Sequence, residues 1–91
     1  MRVTYDPGKS SRNEALRGLS FELAKQFDWS GAQLIEDTRK DYSEQRIQAL
    51  GQIGEHLHVM VFTPRDGAVH VISLRRANRR ERTRYAAQAQ P

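Results

Sequence analysis

A hairpin written into the middle of this chain constrains its fold more than any other feature. His58-Val59-Met60-Val61-Phe62-Thr63 is nearly continuous apolar, and Val69 to Leu74 resumes the pattern after Pro64-Arg65-Asp66-Gly67. Proline presets φ and glycine accepts φ > 0, so the four intervening residues form a turn. An apolar run of this kind is a central strand covered on at least one side. Upstream, Ile47, Ala49, Gly51 and Ile53 alternate with Arg46, Gln48, Leu50 and Gln52, and Gly54-Glu55 turns the chain into the apolar run. Strands at 45–53, 57–63 and 68–74, joined by short turns, make an antiparallel meander. The rest of the fold must be built around that sheet.

The flanks add helices. Residues 2–5 alternate polar and apolar up to the turn signal Asp6-Pro7-Gly8, which predicts a short first strand. Asp6 suits an N-cap and Pro7 the first helical position, where its missing N–H costs nothing. That helix runs to about Arg17, with Gly18 as its C′ residue. Behind Ser20, the residues Phe21, Leu23, Ala24 and Phe27 fit a 3.6-residue period and predict a second helix, closed by Ser30-Gly31. Trp29 beside Phe27 reads as a lid on the core. Gln33-Leu34-Ile35-Glu36 is a short strand and 37–44 a polar connection. Asn78-x-x-Glu81 has the form of a capping box, so a last helix begins at Ala77 or Asn78 and sets Ala77, Glu81 and Tyr85 on one face. The Ala/Gln-rich tail from Ala86 is expected to fray. The fold class is α+β in the order β-α-α-β-β-β-β-α, a small antiparallel sheet with two helices on one face and a C-terminal helix. The 91 residues make a single domain, 1–91.

Composition excludes several functions. There is no cysteine, which removes disulfides, thiolate metal sites and cysteine nucleophiles. No apolar run approaches the roughly 18 residues of a membrane span. No apolar leader follows Met1 either, so a soluble, cytoplasmic protein without a membrane partner is expected. The glycines are scattered at turns rather than gathered in a phosphate loop, and no G-x-S-x-G turn presents a serine nucleophile. No nucleotide cofactor is implied. His56, His58 and His70 are the only histidines; His56 and His58 share a face but lack a third ligand, so no metal is expected.

Charge carries the positive signal. The net charge is +4, and the excess lies in residues 75–91, where Arg75, Arg76, Arg79, Arg80, Arg82 and Arg84 face one acid, Glu81. Residues 28–44 hold five acids and two bases. Twelve of the fifteen basic residues are arginine, whose planar fork suits bidentate phosphate contacts and base stacking. A polyanion partner is therefore expected. Arg75-Arg76 end a strand and Arg79-Arg80 open a helix whose N-terminus is partly positive, which makes a basic concavity fit for one or two phosphates. Arg46 on its strand and Arg65 in the hairpin loop are within reach of the same concavity. Two blander readings compete: the arginines pair with the acidic 28–44 segment, or they form a solvated helix face.

The same residues carry a resemblance. Val61-Phe62-Thr63, then Val71 through Arg82 and Tyr85, resembles the BrnT family, whose members end in I-S-A-R-R-A-x-x-x-E-x-x-x-Y. Asp6, Lys9, Asn13, Gly18, Phe21, Glu22, Ala24 and Phe27 match that family's D-x-x-K-x-x-x-N-x-x-K-H-G-x-x-F-E-x-A-x-x-F, and Arg46 and Gly51 fall in its E-R…G segment. Leu16-Arg17 replace the family's Lys-His, Gln45 its glutamate and Leu74 its alanine.

The resemblance implies a RelE-like endoribonuclease toxin of a type II toxin–antitoxin pair that cuts mRNA and arrests translation. It also implies a BrnA-like antitoxin partner in a hetero-oligomer that reaches operator DNA only through the antitoxin. Such cleavage needs no metal, because the 2′-OH attacks the adjacent phosphate; it needs in-line orientation, positive charge and proton transfer. On this basis Arg46, Arg75, Arg76 and Arg79 are the expected phosphate and charge-stabilising groups, Glu81 a base and Tyr85 an acid or stacking ring. Lys9, Arg17, Arg65 and Arg80 are expected RNA contacts. The competing reading is a non-catalytic module that binds nucleic acid or the antitoxin.

Overall fold

In a computed structural model describing residues 2–89, five strands form one mixed sheet. The order along the chain is β1 (Val3–Thr4), α1 (Pro7–Arg17), a 3-10 turn (Phe21–Gln26), β2 (Gln33–Glu36), β3 (Ile47–Ile53), β4 (His56–Arg65), β5 (Ala68–Arg76) and α2 (Arg79–Ala89). Across the sheet the order is β1-β5-β4-β3-β2. The meander is antiparallel as expected, but β1 joins β5 in parallel, with Val3 opposite Val69. The α+β class holds, with a mixed rather than wholly antiparallel sheet.

Local chemistry explains the elements. The side chain of Asp6 accepts the N–H groups of Gly8 and Lys9, and Gly18 closes α1 at φ 75°. The second expected helix is instead a 3-10 turn. Its buried residues Phe21 and Ala24, with Phe27 just after it, are three apart, the repeat of a 3-10 helix, and Ser20 makes no side-chain cap. The hairpin is tighter than the expected four-residue connection: Arg65 pairs with Ala68, leaving Asp66 (φ 49°) and Gly67 (φ 75°) as a two-residue loop. Pro64 thus sits inside β4 beyond the last β3 pair, Ile47 with Phe62, where no ladder bond to β3 needs its N–H. The last helix runs to Ala89, past Ala86, and the end of the Ala/Gln-rich tail at 90–91 lies outside the described residues.

One face of the sheet carries Ala49, Ile53, Met60, Phe62, Val69, Val71 and Leu74, packed under Phe21, Ala24 and Phe27. Half-buried Trp29 closes this core edge-to-face on Phe27 and Phe62, as a lid. Gly51 is required by the packing, since a Cβ there would lie 2.5 Å from Cζ of Phe27. The other face buries Leu50, Leu57 and Val59 with Ala77 and half-buried Tyr85 beneath α2. A bulge in β5 opposite Val61/Phe62 links the two faces. It lets Val69, Val71 and Leu74, spaced two and then three apart, all point into one core. It also reverses the last two residues of β5: Arg75 faces α2, and Arg76 lies in the row of Gly51 and His58.

Candidate functional site

The bulge decides the fate of the two strand-end arginines. Arg75 meets Glu81 in a bidentate pair, Nη1 to Oε1 and Nη2 to Oε2, both 2.8 Å. Glu81 simultaneously closes the expected capping box, accepting from the Asn78 N–H at 2.9 Å while its own N–H donates to Asn78 Oδ1 at 2.8 Å. The Arg75 guanidinium holds the Glu81 carboxyl down to about 2, and the carboxylate in turn raises Arg75. A carboxylate so stabilised takes up a proton poorly near neutral pH. Glu81, expected as a base, and Arg75, expected on phosphate, therefore form the clamp that fastens α2 to the sheet.

Arg76 goes elsewhere. Its Nη2 donates to Nδ1 of His56 at 2.9 Å, across the end of the β4–β5 ladder. A guanidinium has no acceptor, so Nδ1 carries the lone pair and Nε2 the proton. Both residues, at the strand ends, lie on the rim of a cleft of about 570 Å³ between α2 and the β3–β4 turn, with Gln52, Glu55, Arg82 and Tyr85 around them. Arg82 donates to the Ala77 carbonyl at 3.0 Å, and the Tyr85 hydroxyl donates to the Gly31 carbonyl at 2.8 Å. Tyr85 thus offers the cleft its ring, while its hydroxyl anchors α2 to the segment before β2. Behind His56, buried His58 donates Nδ1–H to the His56 carbonyl at 2.8 Å and is held below its ordinary value, first by burial.

The remaining expected residues are not in this cleft. Arg79, Arg80 and Arg84 line a shallow outer surface of α2 with Thr83 and Ala87. Lys9 and Arg17 lie with Arg12 on α1, around a hollow floored by Phe21 and Ile72. Arg46 and Arg65 sit at the opposite end of the sheet. Arg46 is five residues from Gly51, the start of the row that ends in Arg76, or roughly 16 Å along the strand. It stacks 4.2 Å over the Tyr42 ring, and Arg65 makes a bidentate pair with Glu44. The single concavity expected from sequence is therefore three surfaces, because the strands carry Arg46 and Arg65 away from the α2 end. Sequence reasoning does not single out His56 and Arg82 as cleft residues; the structure does. Among the described residues no three His, Asp or Glu side chains gather as metal ligands. No described helix is long and apolar enough to cross a membrane.

Residues 5–81 match a family described as the ribonuclease toxin BrnT of type II toxin–antitoxin systems. This chain belongs to the BrnT family. No curated protein matches its sequence. BrnT membership makes the chain one of a family of ribonuclease toxins whose systems pair each toxin with an antitoxin. The BrnT match takes in the strand side of the cleft, His56 and Arg76, and ends at Glu81, so the helix side formed by Arg82 and Tyr85 lies beyond it.

Proposed function

We propose that this BrnT protein is a metal-independent endoribonuclease, a single RelE-like domain, that cleaves mRNA in the cleft between α2 and the β3–β4 turn. The observation that carries this reading is the Arg76–His56 contact at 2.9 Å, beside Arg82 in a cleft large enough for a nucleotide. An RNA phosphate entering the cleft competes for Arg76, since a charge-assisted, bidentate contact outweighs a single bond to a neutral ring. Turning Arg76 to the phosphate leaves the His56 Nδ1 lone pair without a donor. Imidazole is suited to proton transfer near neutral pH, and this lone pair takes the proton of the 2′-OH. The 2′-oxygen attacks phosphorus in line, the P–O5′ bond breaks, and the leaving 5′-oxygen takes a proton from water. Arg76 and Arg82 bear the charge that builds on the phosphorane, and the Tyr85 ring offers a stacking surface for a base. Arg79, Arg80 and Arg84 on the outer face of α2 hold flanking backbone, and Lys9 and Arg17 give a further phosphate contact from α1.

The biological reading is a cytoplasmic toxin that arrests translation until a BrnA-like antitoxin covers it, with operator DNA contacted only through that hetero-oligomer. The chemistry is tested by incubating the purified protein with RNA in EDTA and analysing the new ends. Products with 2′,3′-cyclic phosphate and 5′-hydroxyl ends are expected. Products with 3′-hydroxyl and 5′-phosphate ends, or cleavage abolished by EDTA, would contradict the mechanism, and tight binding without cleavage would make the protein a binding module.

A further inference from the structure

We propose that the outer edge of β2 is the docking strand for the antitoxin, and that an extended antitoxin segment with a cation opposite Glu36 adds to the sheet there. This inference rests on the type II family reading for the existence of the antitoxin, and on the geometry of β2 for its place. β2 is the last strand of the sheet and pairs on one side only, with β3. The Asp37 N–H donates to the Arg46 carbonyl at 2.8 Å, which fixes the phase of that ladder. In an antiparallel pair, alternate residues turn both backbone groups to the partner. Asp37, Ile35 and Gln33 therefore face β3, and Leu34 and Glu36 present N–H and C=O to the open edge.

The side chains match an unfilled edge. Leu34 and Ile35 are 55% and 58% exposed, on opposite faces of β2, and they are two of the three large apolar residues so exposed among the described residues. Natural edges are blunted by shortness, charge, proline, a bulge or a covering element; β2 is short and carries Glu36, but it has no lysine, proline or bulge, and Leu34 and Ile35 leave it apolar on both faces. Strand addition would pair the outward backbone groups and cover both apolar side chains.

Charge selects the occupant. Residues 28–44 carry five acids and two bases. Asp37 and Glu44 are engaged by Arg39 and Arg65, while Glu36 and Asp41 make no ion pair among the described residues. A second copy of this chain would bring its own Glu36 and acidic connection to the same edge and be repelled; a partner segment bearing lysine or arginine is attracted. The position also explains inhibition. The start of β2 is tied to α2, since Tyr85 donates to the Gly31 carbonyl at 2.8 Å and Gln33 Nε2 donates to the Tyr85 carbonyl at 3.4 Å. A strand on this edge lies beside the helix that walls the cleft, so the chain that continues from it can cover Arg76 and His56.

The phase of the ladder supplies a clean test. Proline at Leu34 or Glu36 removes an outward N–H and leaves the bonds to β3 in place, and Leu34→Lys adds an unfavourable cation to the apolar strip. The probe is a BrnA-like antitoxin, co-purified with this chain. In the wild-type complex the amides of Leu34 and Glu36 should become protected from hydrogen exchange. Leu34→Pro and Leu34→Lys should each weaken the complex about tenfold or more. Both variants alone should cleave RNA as the wild type does, with the Ile35 and Asp37 amides still protected to show that β2 is folded. Unchanged affinity of both variants, or no added protection at 34 and 36, overturns the docking site while leaving the antitoxin reading intact. A wild-type chain that the antitoxin does not bind overturns both.

Discussion

The two ends of the sheet hold the same kind of residue in opposite circumstances. At the hairpin end, Arg65 is spent on Glu44 and Arg46 on the Tyr42 ring. At the α2 end, only Arg75 has a carboxylate, and Arg76, Arg79, Arg80, Arg82 and Arg84 make no ion pair among the described residues. Arginine density alone does not mark a site. The proposed site is set apart by cationic charge in excess of the local carboxylates, next to a hollow and a histidine. The acidic stretch 28–44 supplies Glu44 to Arg65 at the first end, and the second keeps the unpaired arginines that the proposed RNA site would use.

The largest expected effect separates the two ends directly. Arg76→Ala should lower RNA cleavage by about 100-fold or more, the loss typical of one donor to a developing oxyanion, and its melting temperature should stay near that of the wild type because the side chain is exposed. Arg46→Ala and Arg65→Ala should leave cleavage within about twofold. Next is the sheet that carries both ends. Gly51→Ala forces a Cβ to within 2.5 Å of the Phe27 ring. Denaturant unfolding should show a loss of about 1–3 kcal/mol, as overpacking gives.

Smaller effects compare the two ion pairs. Glu81→Gln keeps the size of the cap but removes the charge that Arg75 holds, and should cost about 1 kcal/mol. Its pH dependence has a definite sign. The folded protein lowers Glu81 from 4.5 to about 2, so its contribution is complete above 4.5 and is lost as pH falls toward 2. Unfolding curves of wild type and Glu81→Gln should therefore converge through that window. Buried His58 acts in the same sense at higher pH: its neutral form is favoured, so stability declines as pH falls below 6.5. His58→Gln should flatten that part of the profile. Smallest is Arg65→Ala, whose half-exposed partner makes the loss about 0.5 kcal/mol or less, and salt should erase it.

Much of this architecture is legible in the residues. The apolar run at 58–63, the Asp6 cap and the Asn78–Glu81 capping box each have a local cause and take their expected form, whereas the hairpin turn falls in the expected place but closes over Asp66-Gly67 alone. What escaped is register. Val69, Val71 and Leu74 break strict alternation, and that break is the visible sign of the bulge; only the pairing shows that it swaps the directions of Arg75 and Arg76. Phe21, Ala24 and Phe27 fit a period of three as well as 3.6, so their spacing alone does not separate a 3-10 turn from an α-helix. His56 reads as a histidine without a third metal ligand until the ladder brings Arg76 to its ring. Arg46 and Arg65 share a sign of charge with the α2 cluster, but sign says nothing about which end of a strand a residue occupies.

The most direct measurement is a side-by-side cleavage assay of wild type, Arg76→Ala, His56→Ala and the double variant Arg46→Ala/Arg65→Ala on one RNA. Activity should collapse in the two cleft variants and persist in the double variant. Cleavage that survives loss of both Arg76 and His56, or fails when only Arg46 and Arg65 are removed, would place the chemistry at the other end of the sheet and contradict this account.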